Sequence, residues 1–175
     1  MEVMEQEHPP RTMKELENRI FKAGEEWRAE HTETKVNETT GDVTEKVAMP
    51  QTFTVAKILS EIVTFTFISK SNIPDYSLLY IYDLDEGIYT ASNDLFNLFC
   101  KTFDVRIKPR EWPQIKLMVR TLAKIRKPLE SSNLIPVQNG IINLETKKLL
   151  PFSPKYVITS KISTAYKSPT RVPRD

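Results

Sequence analysis

The chain has 175 residues, 39% of them hydrophobic, and a net charge of +2, so we expect one compact domain with a polar extension. Its longest apolar run, residues 62–68, is too short for a membrane span, and its acidic start lacks the features of a secretory signal, so a cytoplasmic protein is expected. A single cysteine excludes an internal disulfide, and two histidines in polar sequence exclude most zinc and nucleophile chemistry, so we predict no catalytic, metal or cofactor residue.

The first predicted element is a helix over about residues 12–30. Thr12 and Glu15 form a capping-box pattern at its start. The apolar residues that follow have 3-4-3-4 spacing and lie on one stripe: Met13, Leu16, Ile20, Ala23 and Trp27. This stripe packs either on its own domain or on another domain or subunit.

Residues 1–50 are expected to contain only this helix and a polar, mobile linker. Apolar side chains become sparse over residues 31–50, which are Thr-, Glu- and Lys-rich, so we expect disorder there above all. A second helix is predicted to begin near Thr52 or Thr54. The β-branched and aromatic run VTFTFI then indicates a strand.

Two β-rich runs, Leu78–Tyr82 and Gly87–Thr90, predict a hairpin, with Gly87 as a structural turn residue of positive φ. The acidic residues of its loop favour a solvated turn over a calcium site because the twelve-residue ligand pattern is missing. A third helix is predicted from Ser92 or Asn93 through Phe103. We expect its apolar residues in the core, together with a buried Cys100: Leu95, Phe96, Leu98 and Phe99.

The segment WPQIKLMVRTLAKIRKP, residues 112–128, is predicted to form one helix between its two prolines. Apolar residues repeat along it at 3-4-3-4 spacing and cations at 4-4-3, so the two sets lie on opposite faces. The cations form a candidate DNA-binding ridge that contacts phosphates: Lys116, Arg120, Lys124 and Lys127. The alternative is a solvated amphipathic face.

Charge is distributed unevenly along the chain. Residues 1–100 contain 9 Lys and Arg against 18 Asp and Glu, whereas residues 101–175 contain 16 against 5. This asymmetry fits a polyanion partner for the basic half, or a head-to-tail contact in which the acidic face of one copy meets the basic face of the next. It also fits a solvated surface without a partner.

The last predicted unit is a three-stranded meander. Leu134–Val137 and Ile141–Leu144 flank a turn whose structural residues are Asn139 and Gly140, a pair typical of type I′ hairpins. A second turn leads to Leu149 and Leu150, and a β-branched segment then leaves the meander in an extended conformation. The predicted fold class is therefore α+β, a helical domain with small antiparallel hairpins and a meander packed on the helices.

Two stretches resemble a known family. NLIPVQNGIINLETKKLLPFSPKYVITSKISTAY is similar to the segment just before the helicase in phage and plasmid primase–helicases related to poxvirus primase-helicases, whose motor belongs to helicase superfamily 3. LLYIYDLDEGIYTASNDLFNLF resembles the start of the same N-terminal domain. The resemblance implies a collar-like α+β domain over residues 51–167, which assists ring assembly on DNA, with residues 168–175 beginning a linker toward an absent helicase domain.

The chain lacks a Gly-rich phosphate-binding loop, a Walker-type acidic strand and a polymerase carboxylate set, so it is not expected to be an enzyme. We expect a non-catalytic domain of a mobile-element primase–helicase that supports subunit association and contacts DNA non-specifically, without a small-molecule substrate or a membrane. The alternative is a protein–protein interaction module with no nucleic-acid role. An independent hydrolase or transferase is poorly supported, since it would need a carboxylate of raised pKa as its base.

Overall fold

The computed structural model describes residues 8–36, 39, 41–69 and 78–167, so the predicted linker at residues 168–175 lies outside the described part. The fold is α+β, as predicted. Its helices are α1 Met13–Glu30, α2 Thr52–Ile62, α3 Asn93–Phe103 and α4 Trp112–Leu122, with a 3-10 turn at Pro109–Glu111. Its strands are β1 Thr32–Val36, β2 Val43–Val47, β3 Phe65–Ile68, β4 Tyr80–Asp83, β5 Ile88–Thr90, β6 Lys124–Arg126, β7 Leu134–Val137, β8 Gly140–Asn143 and β9 Lys148–Leu150.

The core lies between the helices and one face of a four-stranded sheet of order β5-β4-β3-β6. Alternation along the strands sends Phe65, Phe67 and Ile81 toward the helices, where all three are buried. From α1, the stripe residues Leu16, Ile20 and Trp27 join the same core, so α1 packs on its own domain. None of the helices in the described part of the chain is long and apolar enough to cross a membrane.

The start of α1 follows its predicted cap with one difference. Thr12 Oγ1 accepts a hydrogen bond from Glu15 N at 3.1 Å, but the Glu15 carboxylate accepts from Arg11 N at 2.7 Å rather than from the cap residue itself. Further along, Gly24 lies directly against the backbone carbonyl of Phe103, at the end of α3. Arg28 Nη1 donates to that same carbonyl at 2.9 Å, so α1 and α3 touch through backbone.

The segment predicted as a mobile linker contains an antiparallel hairpin, β1–β2, in which Thr32 pairs with Val47 and Val36 with Val43. Its apolar content is low, but its threonines and valines favour extended backbone, and pairing satisfies that backbone without a core. Gly41, at φ +74°, lies in the connection. The prediction of disorder was therefore wrong where the two strands form.

Helix α3 is capped by Ser92, whose Oγ accepts from Leu95 N at 3.1 Å. Phe96, Phe99 and Cys100 are buried, and burial raises the pKa of the Cys100 thiol to about 12. Leu98 is 43% exposed, so its predicted place in the core was wrong, since it lies on the outer face of the helix.

Helix α4 ends at Leu122, six residues before the proline that was predicted to end it. Ala123 is extended, with φ −72° and ψ 142°, and β6 then pairs in parallel with β3. Ser69 N donates to Arg126 O, and Thr66 Oγ1 donates to Lys124 O. The predicted helix over residues 123–128 was therefore wrong. Their apolar spacing is helical, but hydrogen bonds to β3 stabilise an extended conformation instead.

The meander forms as predicted, with order β7-β8-β9. The register differs: Val137 pairs with Gly140, so the loop consists of Gln138 and Asn139, and Gly140 begins β8 with φ +151°. The predicted Asn-Gly type I′ turn was therefore wrong by one residue. Gly140 is required because a side chain there would overlap the carbonyl oxygen of Leu150 on β9.

A buried carboxylate follows α3. Asp104 is 1% exposed and accepts hydrogen bonds from Arg106 Nε at 3.0 Å and Nη2 at 2.7 Å, while Arg28 Nη1 lies 3.8 Å away. Burial acts to raise the pKa of Asp104, but the hydrogen bonds and charge of Arg106 and the charge of Arg28 outweigh it and lower the pKa. Arg106 also donates to the carbonyls of Val47 and Ala48, which fixes the base of the β1–β2 hairpin.

The variant Gly24→Ala tests the close contact of α1 with α3. The new methyl group has no room beside the Phe103 carbonyl, so we expect a loss of about 1–3 kcal/mol in the free energy of unfolding, measured by urea denaturation. The control is Asn18→Ala, at an exposed position of the same helix, where stability should be unchanged or slightly higher. Equal stability of the two variants would contradict the contact.

The variant Asp104→Asn tests the ion pairs with Arg106 and Arg28. Because the pKa of Asp104 is lowered in the folded state, its contribution to stability is present above the ordinary carboxyl pKa of about 4 and is lost as pH falls through the folded value. We therefore expect the variant to be less stable than wild type at pH 7, with a gap that narrows at acidic pH. Glu26→Gln, an exposed change, should show no such pH-dependent gap.

Candidate nucleic-acid interface

The predicted ridge is divided between two surfaces. Lys116 and Arg120 remain one turn apart on α4, but Lys124 lies on β6 and Lys127 follows that strand. In the sheet, Lys124 pairs with Thr66 and Arg126 with Ile68, so these side chains lie on the face opposite Phe67. That face points away from the helices, and the four cations therefore do not form one stripe.

The α4 pair is partly engaged by the protein itself. Lys116 is half-buried and donates from Nζ to Asn93 Oδ1 at 2.5 Å, at a cavity of about 300 Å³ that Asn97 and Trp112 also line. Burial and the nearby charge of Arg120 both lower the pKa of Lys116. Lys116 is thus held in place and is less available to an outside ligand than the sequence suggested.

The second face of the sheet has a small core of its own. Tyr82, Tyr89 and Val157 pack there, with the two tyrosine rings 5.0 Å apart. Burial, together with the charges of Tyr89 and Asp83, raises the pKa of Tyr82 to about 12. Burial also raises the pKa of Tyr89, although the charge and hydrogen bond of Arg126 act in the opposite direction. Both rings are therefore neutral packing elements at physiological pH.

Arg126 joins this face to the C-terminal part of the chain. Its Nη1 donates to Tyr89 Oη at 2.7 Å and to Pro154 O at 2.6 Å, and its Nη2 donates to Lys155 O at 2.7 Å. The guanidinium carbon lies 5.9 Å from the centre of the Tyr89 ring. Tyr89 Oη itself donates to Pro154 O at 2.7 Å, so one planar cation and one phenol hold the same turn of backbone.

Backbone pairing extends this attachment along residues 152–166, which we call the strap. Tyr89 N donates to Ile158 O at 2.7 Å, and Leu129 N donates to Val157 O at 2.9 Å. On the meander side, Ile162 makes a parallel bridge with Val137. The strap therefore connects the edge of the four-stranded sheet to the edge of the meander.

Side chains fasten the strap at both ends. Near its start, Phe152 packs on Gly87, where φ is +70° and any side chain would overlap the ring. Lys161 Nζ contacts the Glu86 carboxylate at 2.8 Å in the same turn. At its end, the Asn139 side chain accepts from Tyr166 N at 2.8 Å and donates to Tyr166 O at 3.0 Å. Asn139 thus acts as a short strand partner rather than as a residue of positive φ.

The strap brings a third lysine beside the β6 cations. Because Arg126 binds the carbonyls of residues 154 and 155, Lys155 lies next to the segment that contains Lys124 and Lys127. All three lysines are exposed, and none of them forms a salt bridge within the described ranges. We call Lys124, Lys127 and Lys155 the lysine cluster.

The lysine cluster is suited to phosphate contact. Flexible ammonium groups attract a polyanion without requiring a fixed geometry, and no planar set of side chains for reading base edges accompanies them within the described ranges. Asp83 Oδ1 accepts from the backbone N–H groups of Asp85 and Glu86 and closes the β4–β5 turn, whereas Glu61 lines one cavity together with Lys124 and Arg126. No group of three His, Cys, Asp or Glu that could hold a metal ion occurs among the described residues.

Sequence reasoning found two of the three cluster residues but missed the groups that assemble them. Arg126 was hidden because the predicted helix placed it between the two stripes. Lys155 follows a Ser-Pro break and has no periodic pattern around it. One signal in the sequence could have indicated the strand. Lys124, Ile125 and Arg126 alternate between charged and apolar side chains, as in an edge strand with one charged face.

A protein-family model described as D5 N terminal like matches residues 80–174. The match begins at β4 and includes α3, α4, the meander, the strap and the lysine cluster. It therefore covers more than half of the chain, and α1, the β1–β2 hairpin and α2 precede it. A search of curated proteins finds no match.

The variant Arg126→Gln tests the attachment of the strap. Loss of the planar cation removes the bonds to Tyr89, Pro154 and Lys155, so we expect faster amide hydrogen exchange at the N–H groups of Tyr89 and Leu129, which donate to strap carbonyls. The matched control is Lys127→Gln, which removes an adjacent exposed charge and should leave both exchange rates unchanged. Wild-type exchange in the arginine variant would show that the other contacts of the strap hold it without Arg126.

Proposed function

Because the chain belongs to the D5 N terminal like family, a family of primase–helicase N-terminal domains that are non-catalytic in themselves, we propose that it supports a DNA-replication machine by binding DNA non-specifically and by associating with copies of itself. In this proposal the domain has a collar-like position beside a ring-forming motor of helicase superfamily 3, related to poxvirus primase-helicases and encoded by a phage or plasmid. ATP hydrolysis belongs to that motor.

The observation that supports DNA contact is the lysine cluster. Its three lysines are exposed, and the contacts of Arg126 place the strap backbone at Lys155 beside β6. Lys116 and Arg120 lie on a separate surface, on α4, and Lys116 is held there by Asn93. Such charges supply affinity for a phosphate backbone by releasing counterions, without sequence preference, which is what a moving replication enzyme requires.

A second candidate function is a protein–protein interaction module without a nucleic-acid role. The specific observation in its favour is the β1–β2 hairpin, whose strands are exposed along most of their length and whose tip carries Val36 and Val43. Light scattering after gel filtration, with and without DNA, separates the two candidates. A complex that appears only between copies of the chain would favour the interaction module.

The triple variant Lys124→Gln, Lys127→Gln, Lys155→Gln tests the DNA part of the proposal. Removing these ammonium groups should weaken binding to a fluorescent duplex uniformly across sequences. The slope of log K against log salt should fall by about one for each phosphate that the variant no longer neutralises. Fluorescence anisotropy over a salt series measures both quantities.

The matched control is Lys14→Gln, Lys57→Gln, Lys101→Gln, which removes the same charge from exposed positions elsewhere. The control should keep nearly the full slope. An equal decrease in both triple variants would mean that net charge, rather than the lysine cluster, determines binding. Undetectable binding of wild type at about 50 mM salt would contradict DNA contact altogether.

A further inference from the structure

The β1–β2 hairpin projects from the domain without a partner surface in the described part of the chain. Residues 33–36 of β1 and 43–46 of β2 are all exposed, and Val36 and Val43, paired at the tip, are 59% and 64% exposed. The base is fixed by Arg106 and by the bond from Ala48 N to His31 O at 3.0 Å. An isolated two-stranded hairpin is marginally stable in water, and the tip of this one exposes two adjacent valines.

The two faces of the hairpin differ in chemistry. Directly paired residues share a face, so Val36, Val43, Thr34 and Glu45 lie together on one side. The other side carries the Glu33–Lys46 pair, in which opposite charges face each other across the strands. The valine face is therefore apolar at its tip and has one carboxylate that no cation opposes across the strands.

A groove with the complementary character lies between α4 and β6. It has a volume of about 490 Å³ and is lined by Leu117, Arg120, Thr121, Ala123 and Ile125. Leu117 is 54% exposed and Ile125 is 45% exposed. Strand β6 is the last strand of its sheet, so one of its edges meets no other strand within the described ranges. The groove thus combines two exposed aliphatic side chains with one arginine.

We propose that the valine face of the β1–β2 hairpin of one copy docks in the α4–β6 groove of a second copy, with Glu45 beside Arg120. This inference rests on the self-association in the proposed function and specifies the surfaces that carry it. The apolar tip, Val36 and Val43, would contact the apolar side chains of the groove, and the Glu45 carboxylate would contact the Arg120 guanidinium. The two strands of the hairpin carry two glutamates and two lysines, so the charge attraction in this contact comes from Glu45 on the valine face and Arg120 in the groove.

A contact of this kind is heterologous. Each molecule offers one hairpin and one groove, and the hairpin of a molecule remains exposed beside its own fold, so joining two copies leaves a hairpin free at one end and a groove free at the other. Repetition then builds a ring if the rotation closes. A symmetric dimer of two hairpins would instead leave both grooves empty.

The test is complementation between two full-length variants. The hairpin variant Val36→Ser, Val43→Ser keeps its groove, and the groove variant Leu117→Ser, Ile125→Ser keeps its hairpin; all four positions are exposed, so the fold should be retained in circular dichroism. Sedimentation velocity should show each variant as a monomer at concentrations where wild type associates. An equimolar mixture should form a one-to-one dimer and nothing larger.

A second pair of variants tests the charges. Glu45→Arg and Arg120→Glu should each weaken self-association about tenfold or more, and the double exchange in one chain should restore most of it. Val105→Ser, an exposed valine outside both surfaces, should have no effect.

Each other outcome overturns the docking. If the wild-type protein stays monomeric at every concentration, it does not self-associate, and that part of the proposed function is wrong. Association that survives both serine variants leaves the proposed function intact but places the contact elsewhere. A hairpin variant that dissociates while the groove variant does not indicates hairpin-to-hairpin pairing, and a mixture that fails to dimerise excludes the head-to-tail arrangement.

Discussion

Three hydrogen bonds from Arg126 join the four-stranded sheet to the strap, and the rest of the C-terminal half is arranged around them. Arg126 holds Tyr89 on one sheet edge and the backbone of Pro154 and Lys155 on the strap, over distances of 2.6 to 2.7 Å. Residues 152–158 are also held by backbone pairing, by Val157 and Phe152, and by the hydrogen bond from Tyr89 Oη to Pro154 O. Bidentate planar donors fix direction as well as distance, which a lysine at this position could not do. The meander is attached through the same strap, and hence indirectly through the same residue.

This arrangement separates structural cations from available ones. Arg106 and Arg126 bind carbonyls and a carboxylate inside the fold, whereas Lys124, Lys127 and Lys155 extend from the surface that Arg126 organises. The cations of the C-terminal half therefore fall into two groups: the arginines stabilise the fold, and the exposed lysines are accessible to a polyanion. The β1–β2 hairpin, in the acidic half of the chain, is a separate exposed feature. In the proposed function, the lysine cluster contacts DNA and the hairpin contacts a neighbouring copy of the chain.

Local signals in the sequence predicted much of the fold. The Thr12 cap, the α1 stripe, the Gly87 turn and the limits of α3 all depend on neighbouring residues, and all appear in the structure. Two of the errors concern backbone whose conformation the local apolar pattern does not determine. Residues 123–128 keep helical spacing but pair with β3, and the hairpin at residues 32–47 has no apolar pattern to announce it. For the same reason the sequence indicated the lysines but not Arg126, because its partners lie 28 to 37 residues away.

The most direct test of this account is a lysine footprint of the full chain in complex with a non-specific DNA duplex. Acetylation of each lysine, measured by mass spectrometry with and without DNA, reports which ammonium groups the phosphates cover. The account predicts protection of Lys124, Lys127 and Lys155 together, with Lys14, Lys57 and Lys101 as reactive as in the free protein. Uniform reactivity, or protection confined to lysines outside the cluster, would contradict it.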